Sequence, residues 1–409
     1  MPLKPSDLKQ LGPASRQVHA GQHVDIGRAN PTVPPLHLAT AYAYPTTDEL
    51  DAVFADNSLG YVYSRMDNPT VRAVEEAMAV IEGAEAGVAY ASGMAAILGA
   101  FQTLVPPGGT ILSAVDIYGA THALLHGQLE PAGFEIRHHD AGDVEGFRRL
   151  AEELRPDVVY IESISNPLIK LANIPALATV AHDVDALLVL DNTFASPVVV
   201  DGLTLGADVV IYSSTKHLAG HGDSTGGLVA TRAEIADRLR HQRKFAGAIL
   251  SPFDAWLCLR GMRTLNLRVR QQAANAAAIA EWLGARAGIA RVYYPAKVDD
   301  AFAKDVLRSG LFGTMLAFEI EGATRADAFA FQDALRLIEP ATTLGDVQTL
   351  VLHPATTSHR PLTDEQRQEI GIGEGLIRLS AGIEDVDDLI GDLDQALTAI
   401  GRQADGSVK

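Results

Sequence analysis

Between about Ala84 and Ala230 the chain repeats one pattern, in which four or five apolar residues are followed by a longer stretch at helical spacing. The apolar runs are Gly87 to Tyr90, Thr110 to Ala114, Val158 to Ile161, Leu187 to Leu190, Val209 to Tyr212 and Gly227 to Ala230. Short runs without polar alternation predict strands covered on both faces, so the pattern predicts βαβ units around a mostly parallel sheet. Before this block, Pro31 to Tyr63 is rich in proline and aromatic residues with little helical period, and reads as an extended arm that packs on something else. After it, Ser251 to about Ala285 reads as one long helical stretch, with Leu265, Val269, Ala273, Ala276 and Ala280 recurring at helical spacing. The remainder predicts a strand over Thr314 to Ile320 and a last helix with Leu389, Leu393, Leu397 and Ile400 on one face, stopped by Gly401. The expected organisation is therefore an arm over residues 1–65, an α/β domain over 66–260 and a smaller α/β domain over 261–409.

Composition narrows the classes of function. The 409 residues are 47% hydrophobic, enough for a large core, and 33 basic against 51 acidic side chains leave a net charge of −18. That charge repels phosphate backbones and anionic lipid surfaces, so neither nucleic acid nor membrane is an expected partner. No run approaches the roughly 18 continuous apolar residues of a membrane span, and Met1 to Pro5 lacks the charged start and apolar core of a secretory signal. A cytoplasmic enzyme is expected. Cys258 is the only cysteine and sits in an apolar stretch, which excludes an intrachain disulfide and points to a buried, inert thiol.

Polar residues gather just after the apolar runs: Ser92 and Gly93 after the first, Glu162 and Asn166 after the third, Asp191 after the fourth, and Ser213 to Lys216 after the fifth. Open α/β sheets bind ligands beyond the carboxyl ends of their strands. Lys216, in Ser-Ser-Thr-Lys-His-Leu-Ala-Gly-His-Gly-Asp, has the surroundings of a lysine that holds pyridoxal phosphate. A Schiff base to an aldehyde cofactor lowers the amine's pKa and anchors the cofactor, while hydroxyls on Ser213 and Thr215 can hold a phosphate. Such a cofactor needs a carboxylate facing its ring nitrogen, for which Asp191 is the candidate. It needs amides at a helix N-terminus for its phosphate, for which Ser92-Gly93-Met94 is the candidate, and a flat partner for its ring, for which Tyr118 is the candidate. Taken singly, each has an ordinary reading: a solvated lysine in a turn, a helix cap, a small-residue turn, a core tyrosine. No metal site is expected, because His217 and His221 have helical spacing amid glycine breaks and no adjoining glutamate, and Gly371-Ile372-Gly373 follows no strand and makes a poor dinucleotide loop.

Taken together, these segments resemble the trans-sulfuration enzymes of cysteine and methionine metabolism. The resemblance runs from about residue 16 to 400 through Tyr61-Val62-Tyr63-Ser64-Arg65-Met66-Asp67-Asn68-Pro69-Thr70, Ser92-Gly93-Met94, Tyr118-Gly119, Glu162 to Pro167, Asp191-Asn192-Thr193, Asp208 to Asp223, Leu344-Gly345-Asp346, His353-Pro354-Ala355 and Ile377 to Glu384, all in family order. It implies a fold type I pyridoxal-phosphate enzyme and a homotetramer built as a dimer of dimers. Tyr63 and Arg65 would then reach the cofactor phosphate in the neighbouring subunit's site. It further implies that Arg378 grips the α-carboxylate of a small amino-acid substrate. Asn166 would bind the cofactor's phenolic oxygen and that carboxylate, Tyr118 would stack on the ring and serve as acid or base, and Met94, Thr193 and Thr343 would complete the site.

Departures from the family pattern bear on the reaction. Ala120 stands where methionine-cleaving lyases carry a cysteine, which argues against efficient methionine cleavage. His217 replaces a usual aromatic residue, Thr342 the glutamate of animal-type cystathionine γ-lyases, and Thr343 a usual serine. The expected chemistry is γ-elimination or γ-replacement on a sulfur amino acid or activated homoserine, leaning to C–S cleavage of the cystathionine or methionine γ-lyase type. O-acylhomoserine sulfhydrylase, cystathionine γ-synthase and, further off, cystathionine β-lyase are the alternatives.

Overall fold

The structure, a computed structural model, describes residues 8–20, 31–56, 59–297, 302–308, 310–360 and 363–402. The N-terminal residues Met1 to Pro5 and part of the expected arm lie outside the described residues. Each anticipated apolar run is a strand: β1 (Ala86–Tyr90), β2 (Thr110–Ala114), β4 (Val158–Glu162), β5 (Leu187–Asp191), β6 (Val209–Ser213) and β7 (Gly227–Thr231). A further strand, β3 (Glu135–His139), was not anticipated. It is an edge strand with a polar sequence, so it lacks the apolar run that betrays its neighbours. The sheet order is β1-β7-β6-β5-β4-β2-β3, and β7 runs antiparallel to β6 and β1 while the other pairs are parallel. Register sets Glu162 of β4 opposite Asp191 of β5, and Asp191 opposite Ile211 of β6. The polar residues after the runs therefore share one edge of the sheet.

A second sheet has the order β10-β11-β12-β9-β8, built from β8 (Ile289–Tyr293), β9 (Met315–Ile320), β10 (Glu339–Pro340), β11 (Leu350–Leu352) and β12 (Leu376–Ser380). The last helix, Val386–Ala399, buries Leu389, Leu393 and Leu397 against it.

The expected single helix from Ser251 to Ala285 is two, Pro252–Met262 and Leu265–Ala285. The second joins the halves of the molecule. Leu265, Val269 and Ala273 belong to the core under the large sheet, while Ala276, Ile279, Ala280 and Leu283 belong to the core under the small one. The same helix carries buried polar residues at Arg268, Gln272 and Asn275. Arg268 donates to the carbonyls of His217 at 2.9 Å and Gly261 at 2.8 Å, Gln272 to that of Asp346 at 2.7 Å, and Asn275 to that of Glu384 at 2.8 Å. One helix face thus satisfies backbone carbonyls in loops of both halves, including the loop that carries Lys216. Gly220 is obligatory there: its φ is +68°, and a Cβ would fall 1.8 Å from the Arg268 guanidinium.

Arg268→Met keeps the packing volume but leaves those carbonyls unpaired, at about 1–3 kcal/mol for each buried group. The variant is expected to unfold at least about 5 °C below the parent in a thermal melt, since each kcal/mol moves a domain of this size by a few degrees. An unchanged melting temperature would show that the clamp is dispensable.

Candidate active site

Lys216 follows β6 in a run of turns. Its Nζ donates to Thr343 Oγ1 at 2.8 Å, across 127 residues of sequence. Burial lowers its pKa, the Arg378 charge lowers it further, and Asp346 opposes both. The amine is thereby moved towards its neutral, nucleophilic form.

Asp191 ends β5 with one face open to the cavity. Its Oδ1 accepts from Thr193 N at 2.9 Å, and Tyr160 Oη lies 3.4 Å from Oδ2. Burial raises its pKa, and the Thr193 and Tyr160 hydrogen bonds hold it down. Glu162, its neighbour on β4, is pushed well above the usual carboxylate range by burial and then by the Asp191 charge. Two acids this close do not both ionise, and the hydrogen bonds favour Asp191 as the charged member. Glu162 in turn accepts from the backbone N–H of Tyr118 at 2.5 Å, which fixes the start of the helix Gly119–Leu124.

Ser92 caps the helix Gly93–Leu104, its Oγ accepting from Ala95 N at 3.1 Å. A Cβ at Gly93 would lie 2.8 Å from Ser213 Cβ, so only glycine lets this helix start approach β6 so closely. The N–H groups of the first turn point along the helix axis with nothing of the helix to bond to. Thr193 Oγ1 accepts from Ser213 N at 2.8 Å, and Thr215 Oγ1 accepts from Gly226 N at 3.1 Å.

Arg378 projects from the middle of β12 and is buried. It donates to Asn166 Oδ1 at 3.0 Å and to the Thr343 carbonyl at 3.2 Å, and its guanidinium carbon stands 5.6 Å from the Phe194 ring centre. Burial brings it down to about 10.

A cavity of about 790 Å³ brings Ser92, Gly93, Met94, Tyr118, Asn166, Asp191, Thr193, Ser213, Thr215, Lys216 and Arg378 together, and Thr343 touches it through Lys216 and Arg378. Tyr118 keeps 43% of its surface exposed. Ala120 and Thr342 also line the wall. Tyr63 and Arg65 do not: both are exposed, with Arg65 donating to the Lys244 carbonyl at 2.7 Å and lying 5.7 Å from the Tyr63 ring centre. His217 is occupied elsewhere, its ring nitrogens on Thr193 O at 3.1 Å and Thr314 Oγ1 at 2.7 Å, and burial pushes it down to about 4. Sequence reasoning missed Tyr160 and Phe194 as site residues because both sit in apolar surroundings that read as core, and it took Glu162 only as a strand-end polar group. The register of β4 against β5 was the signal that could have found Glu162.

The profile of the family described as Cys/Met metabolism PLP-dependent enzymes matches residues 14–398. The chain belongs to this family. It is 40% identical over 397 residues to an L-methionine γ-lyase of Pseudomonas putida, an alignment covering 96% of this chain and 98% of that one. It is 41% identical over 368 residues to an O-succinylhomoserine sulfhydrylase of Pseudomonas aeruginosa, covering 89% and 90%. A solved O-acetylhomoserine (thiol)-lyase of Campylobacter jejuni, which carries an N'-pyridoxyl-lysine-5'-monophosphate, superposes with a TM-score of 0.88 at 29% identity, over 95% of this chain and all of that one.

This family member is a pyridoxal-phosphate enzyme of fold type I, and the cavity suits the cofactor. Gly93 lets a helix start, with its unpaired amides, close against the hydroxyl of Ser213 where a phosphate can be held, a depressed amine can form the covalent anchor, and a carboxylate kept charged beside a protonated neighbour can face a ring nitrogen. When bound, pyridoxal phosphate supplies an electron sink for the pair left at a substrate's α-carbon.

Because the Arg378 charge helps to depress Lys216, Arg378→Met should move the pH midpoint of cofactor association with the apoprotein to higher pH. Asp346→Asn should move it to lower pH. Midpoints unmoved in both variants would leave burial as the sole cause.

Proposed function

We propose that the chain cleaves the Cγ–S bond of a sulfur amino acid of the cystathionine, homocysteine or methionine type. The observation that carries this reading is the convergence of Lys216, Tyr118 and Arg378 on one cavity, in a chain that matches an L-methionine γ-lyase over nearly its full length. Arg378 binds the substrate carboxylate with its planar pair of donors, helped by Asn166. Asp191 would hold the proton on the cofactor's ring nitrogen. Lys216 would anchor the cofactor and, as a free amine once substrate is bound, would take the α-proton, pass it on, and only then take a β-proton. Tyr118, which lines the cavity, would protonate the departing sulfur through its hydroxyl. Ser92, Gly93, Met94, Ser213 and Thr215 hold the phosphate, Thr193 braces Asp191, and Thr343 orients the Lys216 amine.

A γ-replacement reading keeps a specific support, because the sulfhydrylase relative is as similar as the lyase and Ala120 stands in the wall at the position that carries a cysteine in methionine-cleaving lyases. The two differ in what Cγ gains after the leaving group departs: a proton for a lyase, whose product water then releases as a 2-oxo acid and ammonia, and a thiol or sulfide sulfur for a cystathionine γ-synthase or sulfhydrylase.

We further propose a division into an arm over 1–65, a cofactor domain over 66–260 and a C-terminal domain over 261–409, supported by the two sheets with their separate cores. The assembly is a homotetramer of two dimers with shared sites, in which Tyr63 and Arg65 serve the neighbouring subunit's phosphate. Their exposure, and the fact that neither lines its own chain's cavity, support this. A cytoplasmic location accords with the −18 charge and with the described residues containing no helix long and apolar enough to cross a membrane.

Incubation with cystathionine should release 2-oxobutanoate without added thiol. Release of pyruvate would place the cleavage at Cβ, and turnover confined to O-acylhomoserine with sulfide would make the enzyme a sulfhydrylase. A complementation experiment tests the shared site. Lys216→Ala and Arg65→Ala chains, each strongly impaired alone, should regain up to about a quarter of parental activity when co-expressed at equal levels, because a mixed dimer holds one site with both residues intact. Mixed oligomers confirmed by mass that stay inactive would place Arg65 outside any shared site.

A further inference from the structure

At the β3 edge of the large sheet, three histidines converge. His122 and His126 stand one turn apart on the helical segment that follows Tyr118, and His138 comes from β3. One ring nitrogen from each lies within 4.8 Å of the others. His138 Nδ1 is 3.2 Å from the Ala114 carbonyl oxygen and His126 Nδ1 is 2.8 Å from Glu130 Oε2. A carbonyl and a carboxylate can only accept, so both Nδ1 atoms carry hydrogen, and a neutral ring in that tautomer offers a bare lone pair at Nε2. The two Nε2 atoms nevertheless face each other at 2.9 Å. Two lone pairs at that distance repel unless a cation stands against them, either a proton or a metal ion.

We propose that His122, His126 and His138 bind a divalent transition-metal ion of the Zn²⁺ class. Three imidazoles with a fourth position open to solvent make a complete tetrahedral set for such an ion. Separations of about 3.3 Å between ligand nitrogens follow from metal–nitrogen distances of about 2.0–2.1 Å, so the His126–His138 pair at 2.9 Å has to open and the His122 nitrogen, within 4.8 Å of both, has to draw in. The outer partners are of the usual kind for metal-bound histidine: a carboxylate on one ring and a main-chain carbonyl on another, each fixing the tautomer that frees Nε2. The segment Leu125–Leu129 is π-helical, a widened turn that recurs at functional positions, and it contains His126. A bound ion would tie the segment that begins at Tyr118 directly to β3.

The test uses untagged, cofactor-loaded enzyme stripped with a chelator, dialysed, and titrated with Co²⁺ as a spectroscopic probe and with Zn²⁺ by equilibrium dialysis. The expected result is one ion per chain, with the intense visible bands of low-coordinate Co²⁺ bleached by Zn²⁺. His126→Gln and His138→Asn should each abolish the bands and weaken Zn²⁺ binding by more than about 100-fold, and Glu130→Gln, which touches only the outer partner, should weaken it by about 10–100-fold. His122→Gln alters an exposed residue and serves as a ligand variant least able to disturb folding; it too should remove the bands. Retained cofactor absorbance verifies that each variant is folded. Failure of the parent to bind, or binding that survives the histidine substitutions, overturns the site.

Discussion

Arg378 enters the cavity from the middle of a strand and keeps its charge there with an amide oxygen, a carbonyl oxygen and the face of Phe194, none of which is an anion. Among the described residues no carboxylate forms an ion pair with it. Burying an unbalanced guanidinium is expensive, and proteins tolerate it where a ligand supplies the missing charge. Much of the local structure follows from this arrangement. Asn166 must approach from the large sheet and Thr343 from the small one, so the two halves have to meet at this point. The same charge acts on Lys216 and makes a proton harder to retain, coupling the buried guanidinium to the reactivity of the amine.

The acidic side of the cavity is arranged by a different rule. Glu162 and Asp191 are register partners on adjacent parallel strands, so the sheet itself brings them together. With one proton between them the pair carries a single negative charge. Glu162 spends its contact on the Tyr118 amide, which makes the start of that helix depend on a titratable residue of the neighbouring strand.

Legibility in the sequence followed burial. The strands β1, β2, β4, β5, β6 and β7 were visible because both faces are covered and their residues are correspondingly apolar. The edge strand β3, with Glu-Ile-Arg-His-His, carries no such run. The break at Arg263 and Thr264 was hidden because helical spacing continues through it on either side. Lys216, Asp191 and the Ser92-Gly93 turn were readable because their chemistry leaves polar residues at strand ends, whereas Arg378 was named through likeness to the family and not from its own surroundings. Tyr160 and Phe194 were lost among apolar neighbours. The His122 and His126 pair could gain its third member only from β3, so missing the strand also hid the cluster.

The helix Leu265–Ala285 gives its first turns to one core and its last turns to the other, with no interruption between. The two sheets are therefore not beads joined by a flexible string. A hinge between them has to bend or tilt a continuous rod, which restricts relative motion to small angles and keeps the distance from Arg378 to Lys216 within narrow bounds. For anyone dividing the chain into fragments, a cut in this helix would open both cores at once, and a cut on either side would leave one core without a wall.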